Sequence, residues 1–551
     1  MKKSCLLALL IVEFVFAGAL SHAESQANET ASKSRLEIKD GWYYIDGQKF
    51  FVNALGYEIG ARPGQNPYVK RRSEPERVKS DIDAIKKAGF NAIRTWSELS
   101  EEELKVVQAS GLKVVLGIGI NPEEDFSDPE VVDRFMDIVG NVLAYSKNYD
   151  SVITYIIMNE PMPQHIRNVG AQATVDLWTK IRNLIHQEHP GIPVTISGNS
   201  AITEFVDMNL FDVYGYNAYD YDGFNYTHGF ANASRILPQM NGQGKPLLLT
   251  EFGLSVSREQ GEARYGGNTL LAQMQMLPWY YRQLLDAGAA GACPFYYADG
   301  WWKGKEPAKH DDTPEEWFGF WGYRDLKDTV GYPRPVWHAM KQYNNALISS
   351  PRNQTFYKNE IPLEIFLQDD VTSIRVVYQD RILYSREDIA NNYLEDSISF
   401  PGDGLSDREL IFEFYDKDQE LIKLESIIVL TADKEVEWPK LTITTPLKNL
   451  EEGQQVSVEI KLENNSLFTL AEEVRYLYST HIGWSRGERR RWTVDSTLKD
   501  QALADSYVIP DESPLLGLYA GTEIYYGKFV KTIHDEHLIY RGTWADPIRL
   551  D

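Results

Sequence analysis

At 551 residues the chain is too long for one ordinary domain, since single cores stop growing near ~250 to 300 residues, so two or three domains are expected. A formal net charge of −24 argues against nucleic acid as a partner, because neutralising phosphates needs a basic face that this composition does not readily supply.

The first 23 residues read as a secretory signal peptide. Lys2-Lys3 form the basic start, Leu6 to Leu20 are mostly apolar, and Ser21-His22-Ala23 offers small residues for cleavage. Glu13 interrupts the apolar run, which also falls short of the ~20 nearly uncharged residues of a membrane-spanning helix. The mature chain is therefore expected in the periplasm or outside the cell, with no stable membrane span. Cys5 leaves with the segment, so Cys293 stays without an intramolecular disulfide partner and stability must come from burial. The triplet Asn225-Tyr226-Thr227 is as well explained by chance as by glycosylation.

From Leu36 onward, short apolar runs alternate with helical stretches. A hairpin comes first, around Asp40-Gly41 and Asp46-Gly47. Eight strands are predicted next: 51–56, 92–96, 113–118, 152–158, 193–197, 213–219, 246–250 and 291–297. Amphipathic segments lie between them at 76–88, 129–146, 171–189 and 270–287, with a closing helix near 334–347. Repeated strand–helix alternation over ~300 residues predicts an α/β fold, a (β/α)₈ TIM barrel spanning residues 36–350 whose site lies at the C-terminal ends of its strands.

Beyond Ser349-Ser350-Pro351 the helical rhythm gives way to period-2 alternation, as in Ile374-Arg375-Val376-Val377-Tyr378 and Val456-Ser457-Val458-Glu459-Ile460. One or two all-β sandwich modules are expected, over 355–435 and 436–551. Their role stays open between ligand binding, spacing and a rigid shelf for the barrel. Trp484 and Trp492, with Arg489-Arg490-Arg491 between them, frame either a binding face or ordinary surface.

Two of the predicted strands end in a glutamate: Val152 to Met158 runs into Asn159-Glu160-Pro161, and Pro246 to Thr250 runs into Glu251-Phe252-Gly253. A charge at the tip of an apolar strand is costly to desolvate and tends to persist where chemistry uses it or a partner neutralises it. Two such carboxylates meet the requirement of glycosidic bond cleavage. In this company the pair resembles the clan A glycoside hydrolases, most closely the catalytic domain of family 2, with family 5 close behind. The resemblance covers roughly residues 36–348 and does not reach the C-terminal two hundred.

That resemblance implies Glu160 as acid/base on the fourth strand and Glu251 as nucleophile on the seventh, acting without metal or organic cofactor. It further implies that Asn159 bonds the sugar 2-hydroxyl, that Arg94 pairs with the nucleophile and that Tyr219 bonds it. Asn217 shares the face of Tyr219 by period-2 spacing, whereas Tyr216 points away into packing. In the aromatic loop after the eighth strand, from Asp299 to Tyr323, one of Trp301 or Trp302 is expected to floor the sugar subsite, with Trp301 favoured. Glu58 and Trp96 also stand at strand ends facing the substrate. His310 beside Asp311 and Asp312 reads as a solvated turn and not a metal site.

The expected function is retaining cleavage of β-linked oligo- or polysaccharides, the carbohydrate being the partner. The 12% aromatic fraction fits sugar stacking, although core filling takes most of those side chains. Only residues 24–35 separate the signal segment from the hairpin, so the sandwich that precedes the barrel in family 2 is not expected here, which brings open-cleft action on β-glucan or β-mannan, or β-glucan transglycosylation, level with single-sugar removal. A catalytically silent polysaccharide-binding barrel is the rival of another class, and loss of one glutamate or its partners would mark it.

Overall fold

The computed structural model describes residues 35–69, 73–198, 208–219, 244–259, 266–400, 404–444, 455–464, 466–470, 474–482, 502–508 and 517–538. The predicted signal segment, the triplet at Asn225 and the Trp484 to Trp492 stretch lie outside the described residues.

Eight parallel strands form one sheet: β1 Val52–Gly56, β2 Ala92–Arg94, β3 Lys113–Gly117, β4 Val152–Asn159, β5 Val194–Ser197, β6 Tyr214–Asn217, β7 Leu247–Phe252 and β8 Gly291–Pro294. From β1 to β5 and from β6 to β8 each strand hydrogen-bonds to its neighbour in chain order, and β8 returns to β1 through the pairs Gly291–Val52 and Ala292–Asn53. Between β5 and β6 the ring closes by the bridge Gly198–Tyr216, where Asn217 N–H donates to Gly198 O at 2.8 Å. Strands covered on both faces read as unbroken apolar runs. In β4, seven consecutive residues from Val152 to Met158 are buried.

Helices α1 Pro75–Lys87, α2 Glu101–Ser110, α3 Pro129–Ser146, α4 Pro163–Val169, α5 Ala171–Glu188, α6 Leu270–Ala287 and α7 Pro335–Tyr343 cover the outside. Their ends follow local chemistry. Ser100 and Glu103 form a reciprocal capping box at the start of α2, which stops at Gly111 in the left-handed conformation. The N-terminal strands Leu36–Lys39, Trp42–Ile45 and Gln48–Phe50 form an antiparallel sheet whose buried Tyr43 hydroxyl bonds Thr154 near the start of β4 at 2.9 Å. That contact seats the hairpin at the end of the barrel away from the strand C-termini.

The closing helix is shorter than predicted, and Ala346–Ser350 is already a strand of the next unit, paired with Glu360–Leu367. A three-stranded sheet and a five-stranded sheet pack face to face there, burying Ile348, Ile365, Val376, Phe412, Phe414 and Val429. Two further three-stranded sheets follow: Lys440–Thr444, Gln455–Glu463 and Ala502–Val508 in one, Val474–Ile482, Gly517–Tyr526 and Phe529–Leu538 in the other.

A buried ionic cluster fixes the first sandwich to the barrel. Arg282 of α6 pairs with Asp286 at 2.8 Å, approaches Glu425 of the sandwich at 3.4 Å and donates to Ile348 O at 2.9 Å. Lys423 pairs with Glu425 at 2.9 Å, donates to the carbonyls of Tyr343 and Ala346, and lies 3.8 Å from the Tyr343 ring centre. Burial pushes the Lys423 ammonium below its usual range, and Lys423 and Arg282 together hold the Glu425 carboxyl below its own despite burial.

Removing one partner of such a cluster leaves buried charge uncompensated. Glu425→Ala is expected to lower stability by ~3 to 5 kcal/mol, and Glu425→Gln by less. Urea denaturation of the full chain checks this, and an unchanged midpoint in both variants would show that the cluster does not hold the sandwich.

Candidate active site

The C-terminal strand ends surround a pocket of about 460 Å³ lined by side chains that include Glu58, Trp96, Asn159, Glu160, Tyr219 and Glu251. Arg94, at the end of β2, is fully buried beneath it. Its Nη2 lies 3.0 Å from Glu251 Oε1, 2.6 Å from Asn159 Oδ1 and 3.2 Å from Ser197 Oγ, and its guanidinium centre is 3.8 Å from the Trp96 ring centre. With Oδ1 occupied by Arg94, the amide NH₂ of Asn159 is the end that faces the pocket.

Glu251 ends the apolar run of β7 and keeps only 5% of its surface exposed. Besides Arg94, its carboxylate accepts from Trp96 Nε1 at 2.7 Å and from the Tyr219 hydroxyl at 3.1 Å. Three donors on one carboxylate hold it in place and aim it. The Trp96 indole reaches Glu251 by lying on Gly56, where a Cβ would stand 2.8 Å from the ring. No other residue type at 56 gives the indole that room.

Glu160 is held differently. Its backbone sits at φ 45, in the left-handed region a non-glycine residue rarely adopts, with its N–H donating to Ser197 O at 2.7 Å. Its carboxyl accepts from Asn217 Nδ2 at 2.9 Å, and Asn217 Oδ1 accepts in turn from Thr250 Oγ1 at 2.6 Å. Burial, reinforced by repulsion from Glu251, pushes the Glu160 carboxyl up to about 7 against the opposing effects of Asn217 and Arg94. One carboxylate is thus ion-paired and the other is poised to carry a proton near neutrality, which is the division of labour between a nucleophile and an acid/base.

Of the sequence-predicted residues, Glu58, Trp96, Asn159, Glu160, Tyr219, Glu251 and Trp302 line the pocket, with Arg94 and Asn217 directly behind. Tyr216 packs against the barrel core. Trp301 does not reach the pocket. It is 6% exposed and stacks on His310, ring centres 4.8 Å apart, which stacks in turn on Trp317 at 3.7 Å. Neighbouring residues of the 3₁₀ turn Trp301–Lys303 point in different directions, so burying Trp301 in the loop turns Trp302 towards the site. His310 is not in a solvated turn. Burial, assisted by nearby Arg334, lowers it to about 4, so it is a neutral ring inside an aromatic stack.

Four pocket residues were not singled out in the sequence: Tyr68, Phe295, Lys303 and Glu315. Glu58 accepts from Trp302 Nε1 at 2.9 Å and lies 3.5 Å from Lys303 Nζ, which is 3.8 Å from Glu315. Burial raises the Glu58 carboxyl, and the two carboxylates raise the Lys303 ammonium against its own burial. Tandem Trp302-Lys303 beside Trp301 was the one available signal. A single lysine in a loop carries no pattern of its own.

The sequence model of glycoside hydrolase family 72, described as glucanosyltransferase, matches residues 25–265, a stretch that holds both glutamates. That family belongs to the clan read from the glutamate motifs. Among curated proteins, none matches the chain. Solved structures similar to it include the *Parabacteroides merdae* β-glucuronidase with glycerol in its active site, at 12% identity and TM-score 0.45, covering 92% of this chain and 64% of that one. Another is the FMN-binding β-glucuronidase from *Facaelibacterium prausnitzii* L2-6, at 15% identity and TM-score 0.46, covering 73% and 59%. The *Bacteroides uniformis* β-glucuronidase 2 covalently bound to cyclophellitol-6-carboxylate aziridine is similar at 12% identity and TM-score 0.47, covering 92% and 68%. The chain thus spans 64% and 59% of the first two proteins.

The environment of Glu160 makes its titration a direct test. Following the carboxyl stretch by difference infrared spectroscopy against Glu160→Gln, the midpoint is expected near 7. It should fall in Glu251→Gln, which removes the repelling charge, and rise in Asn217→Ala, which removes the donor that favours the ionised form. Movement of either variant in the opposite direction would refute this account of the pair.

Proposed function

We propose that this chain, a clan A glycoside hydrolase by its barrel and its matched sequence model, is a retaining enzyme that acts on β-linked oligo- or polysaccharides by double displacement. The observation that carries the reading is the contrast between Glu251, bound by Arg94, Trp96 and Tyr219, and Glu160, raised to about 7 in the same pocket.

In the first step a Glu251 oxygen bonds to the anomeric carbon while the glycosidic C–O bond breaks and Glu160 gives its proton to the leaving oxygen. Forming the ester removes the negative charge of Glu251 and with it part of what raised Glu160. The acid therefore becomes a better ion and then a base, as the second step requires. It takes a proton from water, or from a sugar hydroxyl, whose oxygen displaces Glu251 from the same carbon. Two inversions keep the β configuration. On this reading the Asn159 amide bonds the 2-hydroxyl as charge develops.

Choice between water and a sugar hydroxyl separates hydrolysis from transglycosylation. The glucanosyltransferase description of the matched family supports transfer as the second reading. A silent binding barrel is less well supported, because both glutamates stand with Arg94, Asn159 and Tyr219 assembled around them. The pocket lining carries Glu58, Glu160, Glu251 and Glu315 against Lys303, and Lys303 is engaged by two of those acids, so the charge balance favours a neutral sugar. Among the described residues no helix is long and apolar enough to cross a membrane. The signal-like start supports export to the periplasm or exterior, and an exported protein whose N-terminus precedes Glu24 would contradict the cleavage after Ala23.

Following anomeric protons by NMR in the first minutes of reaction should show the β product before the α. Glu251→Gln should lose ~10³-fold or more in turnover, on the scale seen when a nucleophile is removed. In Glu251→Gly, azide should restore turnover and yield an α-glycosyl azide, since a small anion then makes the only displacement. An α first product from the unmodified enzyme would reject Glu251 as nucleophile.

A further inference from the structure

Glu160 is reached by a chain of two hydrogen bonds whose far end lies on the strand of the other glutamate. Thr250 Oγ1 donates to Asn217 Oδ1 at 2.6 Å, and Asn217 Nδ2 donates to Glu160 Oε1 at 2.9 Å. Thr250 is 1% exposed and does not line the pocket, so its hydroxyl acts on the site only through other groups. Its placement comes from an irregularity in the sheet. β7 pairs with β6 as Leu249–Tyr216 and next as Glu251–Asn217, which leaves Thr250 as an extra residue between the two pairs. A bulge of this kind re-aims a side chain. Regular alternation sends neighbouring residues to opposite faces of a sheet, yet here Glu251 enters the pocket while the Thr250 hydroxyl reaches the amide that holds Glu160.

The two ends of an amide have nearly the same shape, but the NH₂ donates and the carbonyl accepts. They favour opposite states of a carboxyl. A donor stabilises the ionised form, whereas an acceptor stabilises the acid by binding its O–H. Turned end for end, Asn217 would put its NH₂ on Thr250 and its carbonyl on Glu160. The Thr250 hydroxyl would then have to accept, and its hydrogen would lose the acceptor it has at Asn217 Oδ1. With Thr250 and Asn217 both buried, water is poorly placed to take over that hydrogen, so the reversal is disfavoured. The main chain cannot turn in the amide's place, because Asn217 N–H donates to Gly198 O at 2.8 Å.

We infer that Thr250 is a positioning residue for the acid/base: its hydroxyl fixes which end of the Asn217 amide Glu160 meets, so that the carboxyl always faces a hydrogen-bond donor. This rests on the proposed role of Glu160. The same carboxyl has to give up a proton in one step and serve as an anion in the next, and burial beside Glu251 opposes the anion. A donor of fixed sense offsets part of that opposition. The charged groups acting on Glu160 are Glu251 on β7, Arg94 on β2 and Glu315 in the loop after β8, with Glu58 and Lys303 also in the pocket lining. A substitution at position 250 removes none of them.

The test compares Thr250→Val, which keeps the shape and removes the hydroxyl, with Thr250→Ser, which keeps the hydroxyl. In the full chain, difference infrared spectroscopy of each variant against its own Glu160→Gln counterpart gives the Glu160 midpoint. It is expected to rise by about half a unit to one unit in Thr250→Val, the equivalent of one net hydrogen bond, and to keep its unmodified position in Thr250→Ser. Added to Asn217→Ala, where no amide is left to orient, Thr250→Val should produce no further rise. Thr250→Ala takes the place of Thr250→Val if urea denaturation shows that the valine chain does not fold. The alkaline limb of kcat/KM for an aryl β-glycoside should move up with the midpoint. An unmoved or lowered midpoint in Thr250→Val, an equal rise in Thr250→Ser, or a rise that adds to that of Asn217→Ala overturns the inference. The expected midpoints with an unmoved alkaline limb, or with no turnover of any glycoside by the unmodified protein, refute Glu160 as the acid/base instead and leave the orientation of its amide standing.

Discussion

Two carboxylates buried in one mouth repel each other, and a single guanidinium beneath them cannot neutralise both. Arg94 settles the matter by position: it reaches Glu251 at 3.0 Å and Asn159 at 2.6 Å, but it has no direct bond to Glu160. Glu160 is left with one amide donor and the field of its neighbour, which keeps a proton on it near neutrality. A second cation beside Glu160 would have made two anions and no acid.

The barrel supplies this asymmetry through backbone placement. β2, β4 and β7 each deliver one charged side chain to the mouth, while close approaches between strands need residues without side chains. Gly215 is an example, since a Cβ there would stand 2.1 Å from Ile196 O. Such contacts bring β5 and β6 together where the ring closes, and Asn217, two residues on, is thereby placed to hold Glu160. The hydrogen-bond chain from Thr250 through Asn217 to Glu160 links β7 to β4 across two intervening strands, so the strand that carries Glu251 helps aim Glu160.

Much of this was legible in the sequence because it rests on period and on strand ends. Short apolar runs between helical stretches marked the eight strands, and a glutamate after such a run stood out as a charge without an obvious reason to be there. Arg94 was legible through the resemblance those glutamates carry. The closing helix was read too long, since Ala346-Leu347-Ile348 is apolar enough to continue a helix face or to begin a strand, and pairing with Glu360–Leu367 decides between them. Domain-scale patterning marked the change to β structure but not the ionic cluster at the junction, where Arg282 lies far in the chain from Lys423 and Glu425.

The loop after β8 shows where pattern reading stops. Trp301 and Trp302 are identical in type and adjacent, and nothing local separates the one that packs from the one that faces the pocket. The difference comes from distant partners: His310 and Trp317 build a stack that takes Trp301, while Glu58, on the loop after β1, takes the indole N–H of Trp302. Neutral His310 belongs in that stack, because a charged imidazolium would have to be desolvated between two indoles with Arg334 close by. The loop therefore carries a small core of its own, and that core holds Trp302 and Lys303 at the pocket wall without relying on a bound ligand to order them. On the proposed function, a wall preformed in this way spends less of a sugar's binding energy on ordering side chains, leaving more of it to position the anomeric carbon against Glu251.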